Sequence, residues 1–309
     1  MTRKVILDID PGVDDAVALC VALADPRLEV VAVTATGGNV DARQATLNTQ
    51  AIIEQVDPLR WPRIGAADPQ LVLRADARDL HGAKGLGGAE PPTVELANRH
   101  PAIKVIAEEV RQAPKEVTIV CTGPLSNLAA ALRYEPEVVE QIGRVVTLGG
   151  SVAAGGNITP AAEFNVFCNA EAAKAVYGSS LAKTVVPLDV TQRFVVDYDL
   201  MELLKGLGTR TADFLSQILP PFYRVHRQQF GMEGVYMHDV AAVAMASHPE
   251  WFTTEPMYGD VETMGELTHG ATVFDRRKAP GEVPNVEVAL DVELEELRGY
   301  LYETLERAT

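Results

Sequence analysis

Short β-branched runs alternate with longer amphipathic segments through the first 190 residues. This is the pattern of repeated β-α units on a mostly parallel sheet. Strands are expected near Val5–Ile9, Val30–Thr34, Val117–Cys121, Val145–Leu148 and Thr184–Leu188. Helices follow most of them, at Asp14–Leu23, Gln44–Gln55, Pro124–Leu132 and Glu171–Tyr177. From Leu200 to His248 the pattern becomes mainly helical, and a further strand is expected at Asn285–Leu290. No internal repeat and no Ser- or Pro-rich linker divides the chain, so one α/β domain over residues 1–309 is expected.

Two stretches break this regularity. "HGAKGLGGAEPP", residues 81–92, is rich in glycine and then stiffened by proline, as a mobile surface loop would be. "LGGSVAAGGNITPAAEFN", residues 148–165, is a long connection for a compact domain, and such connections often carry function. Both are lid candidates.

Ligands of parallel sheets bind outside the carboxyl ends of the strands, so chemistry should gather just after each one. Asp8, Asp10, Asp14 and Asp15 follow the first strand and Asn39 the second. Thr122 and Asn127 follow a middle strand, then come Asn157, Glu163 and Asn165, and Asp189 after the fifth. Polar groups thus recur along one sheet edge.

Each group also has an ordinary structural reading. Asp14 and Asp15 suit the positive end of a helix, with Asp8 and Asp10 as exposed turn residues. Asp8 and Asp10 at strand spacing before "PG", however, drive all four carboxylates towards one small volume, where repulsion would raise pKa values unless a cation compensates. An oxygen-only donor set favours Ca²⁺ or Mg²⁺. In "YMHDVAAVAM", Asp239 is either a helix cap with His238 beside it by chance, or a further metal ligand with His238 as proton donor. His81 is more often a surface residue than a catalyst, and Asn39, Asn157, Glu163 and Asn165 can each cap a turn. Together they offer donors and acceptors without a phosphate-binding Lys or Arg, which suits the hydroxyls of a neutral sugar. Tyr223, His226, Phe230 and Tyr236 lead towards His238, in a segment whose register the pattern does not fix.

The net charge of -16 and pI near 4.8 argue against nucleic acid or an anionic membrane as partner. Signal-peptide and membrane-spanning patterns are absent, and Cys20, Cys121 and Cys168 are odd in number and widely spaced. A reducing cytoplasm is therefore expected. Dinucleotide, P-loop, serine-hydrolase and zincin motifs are missing as well.

With these residues gathered, the chain resembles the nucleoside hydrolases of the inosine-uridine-preferring type. "DIDPGVDDAVAL" is similar to that family's N-terminal D-x-D-x-G-x-D-D signature. The likeness continues in order through "GGN" at 37–39, "HG" at 81–82, "CTGPLSN" at 121–127, "GNITPAAEFN" at 156–165, "EAA" at 171–173 and "HD" at 238–239. The resemblance implies an open, mostly parallel Rossmann-like sheet flanked by helices, hydrolysing ribonucleosides to ribose and base as a homodimer or homotetramer. It implies that Asp10, Asp15, Asp239 and the Thr122 carbonyl hold one Ca²⁺, with Asp10 also the base for a Ca²⁺-bound water. Asp14, Asn39, Asn157, Glu163 and Asn165 would hold the ribose hydroxyls, and His81 and His238 would lie beside the base. Val240 stands where the family usually has Pro, Asn169-Ala170 where Asp-Pro is common, and Leu148 where many members carry Met; no catalytic group is lost. Two rivals are a divalent-metal phosphatase of the haloacid dehalogenase type and a non-catalytic ribose or nucleoside binder.

Overall fold

The computed structural model describes residues 2–93, 99–277 and 281–308. Seven strands come first, β1 (Arg3–Ile9), β2 (Leu28–Ala35), β3 (Arg63–Ala66), β4 (His100–Pro101), β5 (Val117–Cys121), β6 (Arg144–Leu148) and β7 (Lys183–Val186). They are followed by β8 (Val195–Asp197), β9 (Gly234–Tyr236), β10 (Phe252–Met257), β11 (Gly259–Val261), β12 (Thr272–Phe274) and β13 (Val286–Val292). Nine of them make one open sheet in the order β10-β13-β7-β6-β5-β1-β2-β3-β4. Within this sheet, among the described residues, only the β10–β13 pair is antiparallel. β8 pairs with β9 and β11 with β12 as separate two-stranded ribbons.

β1 explains why the sheet is covered on both faces. Val5, Leu7 and Ile9 point into one core with the helices Val13–Ala24, Arg210–Phe230, His238–Ser247 and Leu294–Arg307. Ile6 points into the other, with Ala102–Gln112, Ser126–Tyr134 and Ala170–Tyr177. A strand apolar on both sides is the mark of a central parallel strand. The chain runs from β1 out to β4 on one side, then crosses back to build β5, β6 and β7 on the other. The β1/β5 boundary is therefore the topological switch point, where a crevice opens at the carboxyl ends.

Several expected boundaries shift. The strand expected over 184–188 stops at Val186, because Pro187 opens a helical turn over Leu188–Thr191. The expected helices at 44–55 and 124–132 run over Ala42–Val56 and Ser126–Tyr134. β3, β4, β10 and the helices Ala102–Gln112 and Leu294–Arg307 were not anticipated. The first lid candidate is docked rather than free. Leu86 is 1% exposed, Asn48 Nδ2 donates to the carbonyls of Pro11 and Lys84 at 3.2 and 2.7 Å, and a Cβ on Gly87 (φ 61°) would lie 2.3 Å from the Ile218 carbonyl oxygen. The second is strapped at its base by Asp189, which accepts from the N–H groups of Val152 and Ala153 at 2.7 and 2.8 Å. Asp189 thus holds the loop that borders the crevice instead of lining it.

Candidate active site

The crevice at the switch point is a cavity of about 490 Å³. Its floor begins at the end of β1, where Asp10 leaves the strand and Gly12 starts the helix Val13–Ala24. Asp14 and Asp15 occupy that helix's first turn, and Asp15 Oδ2 accepts from the Gly12 N–H at 2.9 Å. Helix-end stabilisation and a place in the site are thus combined in one residue.

Asn39, after β2, wires the acids together. Its N–H donates to Asp10 Oδ2 at 2.7 Å, and its Nδ2 donates to the Asp10 carbonyl and to Asp15 Oδ2 at 3.0 and 3.1 Å. Thr122, after β5, donates from Oγ1 to Asp15 Oδ1 at 2.7 Å, while its carbonyl accepts from Asn165 Nδ2 at 2.5 Å. Glu163 caps the short helix Phe164–Cys168, accepting from the N–H groups of Asn165, Val166 and Gly150 at 2.9, 3.0 and 3.1 Å. Asn157 is exposed at the rim, and its Oδ1 accepts from the Phe164 N–H at 2.8 Å. Asp239 lies in the first turn of the helix His238–Ser247, which has no side-chain cap, so Asp239 is not its N-cap.

Asp14, Asp15 and Asp239 each bring an oxygen to within 4.8 Å of the others, and all three are buried. Asp10 stands beside this group rather than within it. Burial, then the neighbouring Asp15, pushes the Asp10 carboxyl well above the usual range against the pull of the Asn39 N–H. Burial and then Asp14, Asp15 and Asp10 do the same to Asp239. Asp14 Oδ1 is buried with no hydrogen-bond partner. Such a group, all oxygen and repelling itself, fits a hard cation.

Asp8 departs from expectation. It is fully buried on the Ile6 side of β1, accepting on Oδ1 from Thr34 Oγ1 at 2.6 Å and Asn127 Nδ2 at 2.7 Å, and burial raises its pKa to about 6. Three of the four N-terminal acids converge, and Asp8 braces the floor beneath them.

His81 is also buried rather than superficial, at the end of the short helix Arg78–His81. Its Nδ1 accepts from the Val13 N–H at 3.1 Å and lies 3.7 Å from Asp14 Oδ1. Burial lowers its pKa to about 3, so the ring is neutral with its proton on Nε2. The His238 Nδ1 lies 2.8 Å from Thr191 Oγ1, and burial lowers its pKa to about 4. No sequence signal pointed to Thr191, which belongs to the helical turn that replaces the end of the expected strand. Along one side, Phe222, His226 and Phe230 form a stripe at intervals of four on the helix Arg210–Phe230. The His81 ring stacks on Phe222 with centroids 5.2 Å apart. Tyr236 and Gln229 join this wall, whereas Tyr223 turns away to donate to the Asp197 carbonyl at 2.6 Å.

A family model described as inosine-uridine preferring nucleoside hydrolase matches residues 5–299. The chain belongs to that family. It is 35% identical over 309 residues to the pyrimidine-specific ribonucleoside hydrolase RihA of Salmonella typhimurium, covering 99% of each chain. Among solved structures, a plant nucleoside hydrolase, the PpNRh1 enzyme, superposes with a TM-score of 0.90 at 30% identity over 99% of each chain. A purine-preferring ribonucleoside hydrolase from Gardnerella vaginalis gives 0.91 at 28% identity over 98% of each. The nine-stranded open sheet is thus a nucleoside hydrolase fold, and the protein is an enzyme of the nucleoside N-ribohydrolase family. Among the described residues, no helix is long and apolar enough to cross a membrane.

Proposed function

We propose that the enzyme cleaves the N-glycosidic bond of ribonucleosides with Asp10 as the base towards water and Ca²⁺ as the resident ion. The observation that carries this reading is the buried Asp14, Asp15 and Asp239 group beside Asp10, in a cavity whose described lining has no lysine or arginine. Of the group formed by Asp14, Asp15 and Asp239, we assign Asp15 and Asp239 to the ion together with Asp10 and the Thr122 carbonyl, and Asp14 to the ribose. The unpartnered Asp14 oxygen supports this assignment. When bound, the ion neutralises the carboxylates and polarises the oxygens it meets.

The chain's own groups divide the remaining work. Asp14, Asn39, Asn157, Glu163 and Asn165 hold the ribose hydroxyls. Asp10 takes a proton from water as the water oxygen bonds to the anomeric carbon on the face opposite the base. The bond from that carbon to the base nitrogen breaks, and its electron pair leaves with the base. Positive charge growing on the ribose ring is favoured by the surrounding carboxylates. Beside the base, His81 offers Nε2–H, and His238 does so when Thr191 Oγ1 donates to its Nδ1. Both rings are neutral, so they serve the departing base as hydrogen-bond donors rather than as charged acids.

The lack of lysine and arginine among the described lining residues weighs against the phosphatase reading. We place the enzyme in the cytoplasm as a homodimer or homotetramer; its three cysteines are free and buried, which agrees with a reducing compartment. A panel of purine and pyrimidine ribonucleosides, assayed for free ribose and base before and after exhaustive chelation, tests the proposal. Hydrolysis should vanish on chelation and return with Ca²⁺. Phosphate release from phosphomonoesters, or nucleoside binding without free base, would overturn it.

A further inference from the structure

The aromatic wall carries one nitrogen whose hydrogen-bonding sense is written by the backbone. His226 is 1% exposed, and its Nδ1 lies 3.1 Å from the Phe222 carbonyl oxygen one helical turn earlier. A carbonyl can only accept, so Nδ1 carries the proton. Burial disfavours a second proton on the ring, which leaves Nε2 as a bare acceptor. Among the described residues, no hydrogen bond is made to that nitrogen, although the residue lines the cavity. Phe222 and Phe230 flank the ring, with centroids 4.3 and 5.4 Å away, and Tyr236 stands at 5.9 Å. Three aromatic neighbours hold the imidazole in place where it lines the cavity. His81, which also stacks on Phe222, is fixed in the opposite sense, because there the backbone N–H of Val13 donates to Nδ1. The wall thus presents one fixed donor and one fixed acceptor.

We propose that His226 determines base specificity by accepting, at Nε2, a hydrogen bond from the ring N–H of a lactam base, as in uracil or hypoxanthine. This rests on the nucleoside hydrolase reading of the same cavity. A base that brings a lone pair to this position leaves two acceptors facing each other in a buried site, a mismatch that costs transition-state binding.

The test compares kcat/KM for uridine with N3-methyluridine, and for inosine with N1-methylinosine, in the wild type and in His226→Phe. Methylation removes the N–H, and phenylalanine keeps a ring of similar shape while removing the acceptor. In the wild type, methylation should lower kcat/KM by about tenfold or more. In His226→Phe the same comparison should shrink towards unity, chiefly because the unmethylated substrates lose rate. Equal discrimination in both proteins would overturn the proposal, since it would reduce to steric exclusion of the methyl group. Should the variant fail to fold, the ¹⁵N chemical shifts of the His226 ring nitrogens in the wild type decide the tautomer, and a protonated Nε2 would overturn the proposal. Failure of every nucleoside to react would instead defeat the hydrolase reading itself.

Discussion

Thr122 Oγ1 donates to Asp15 Oδ1 at 2.7 Å, joining the end of β5 to the first turn of the helix that follows β1. The bond spans the switch point of the sheet and aims an oxygen of the acidic group. Asp15 keeps two other donors, the Gly12 N–H and Asn39 Nδ2. Thr122→Val should therefore fold, yet hold Asp15 less firmly. The Ca²⁺ concentration for half-maximal turnover should rise by about tenfold or more, the usual effect of losing a partner of a metal ligand. Thr122→Ser, which keeps the hydroxyl, should stay near wild type. Equal midpoints in all three would show that this bond does not tune the ion site.

Asp10→Ala should lower kcat by roughly a hundredfold or more, the scale of a lost general base. The ion-free variant should nonetheless melt no lower than the wild type, because a carboxyl disfavoured by burial and then by the neighbouring Asp15 and Asp14 has been removed. Wild-type turnover would exclude Asp10 as the base, and a sharply lower melting temperature would contradict the repulsion.

Gly38 and Gly123 close on Asp10 from two sides. A Cβ on Gly38 would sit 1.9 Å from Asp10 Oδ2, and one on Gly123 would sit 2.5 Å from Oδ1. Gly38→Ala should cost about 1–3 kcal/mol through overpacking and most of the activity through displacement of the carboxylate. In an Asp10→Ala background the same substitution should cost distinctly less stability, a coupling that denaturant melts of the four proteins would measure. Additive costs would mean that the backbone, not Asp10, meets the added methyl.

Lys183, at the start of β7, is buried with Nζ donating to the carbonyls of Ser179 and Leu181 at 2.7 and 3.1 Å. Burial lowers its pKa from 10.5 to about 8. Between those values the unfolded chain holds more protons than the folded one, so stability rises with pH there; below about 8 the cost of the buried charge is present in full. The difference in unfolding free energy between wild type and Lys183→Met should therefore be flat near pH 7 and shift in favour of the wild type from pH 8 towards 10.5. A difference that stays flat throughout would show that Lys183 is not desolvated.

The sheet was legible because β1, β2, β5 and β6 are apolar on both faces and bounded by turn residues. The acidic site was legible because an acidic signature after a first strand has few structural uses. Other features depend on contacts that no local pattern encodes. Asp8 shares the parity of Ile6, so it faces Thr34 and Asn127 under the sheet instead of joining Asp10. His81 is enclosed by the Val13 backbone on one hand and, on the other, by Phe222, which a helix about 130 residues later brings to stack on it. That helix contains Pro220 and Pro221, and its register decides that Phe222 lines the cavity while Tyr223 faces Asp197. β4 has two residues, too few to show a period.

The central position of β1 also bears on how the protein is born. Its edges are completed by β2, from Leu28 onward, and by β5, from Val117 onward, and the helix bearing Asp239 packs against the helix that follows it. At a ribosomal pace of about 5–20 residues per second, the first strand waits on the order of ten seconds for its second neighbour. During that interval a stretch of apolar backbone with one open edge emerges ahead of everything that will enclose it. The nascent chain is thus a natural client for chaperones, and truncated products of synthesis cannot assemble the acidic centre.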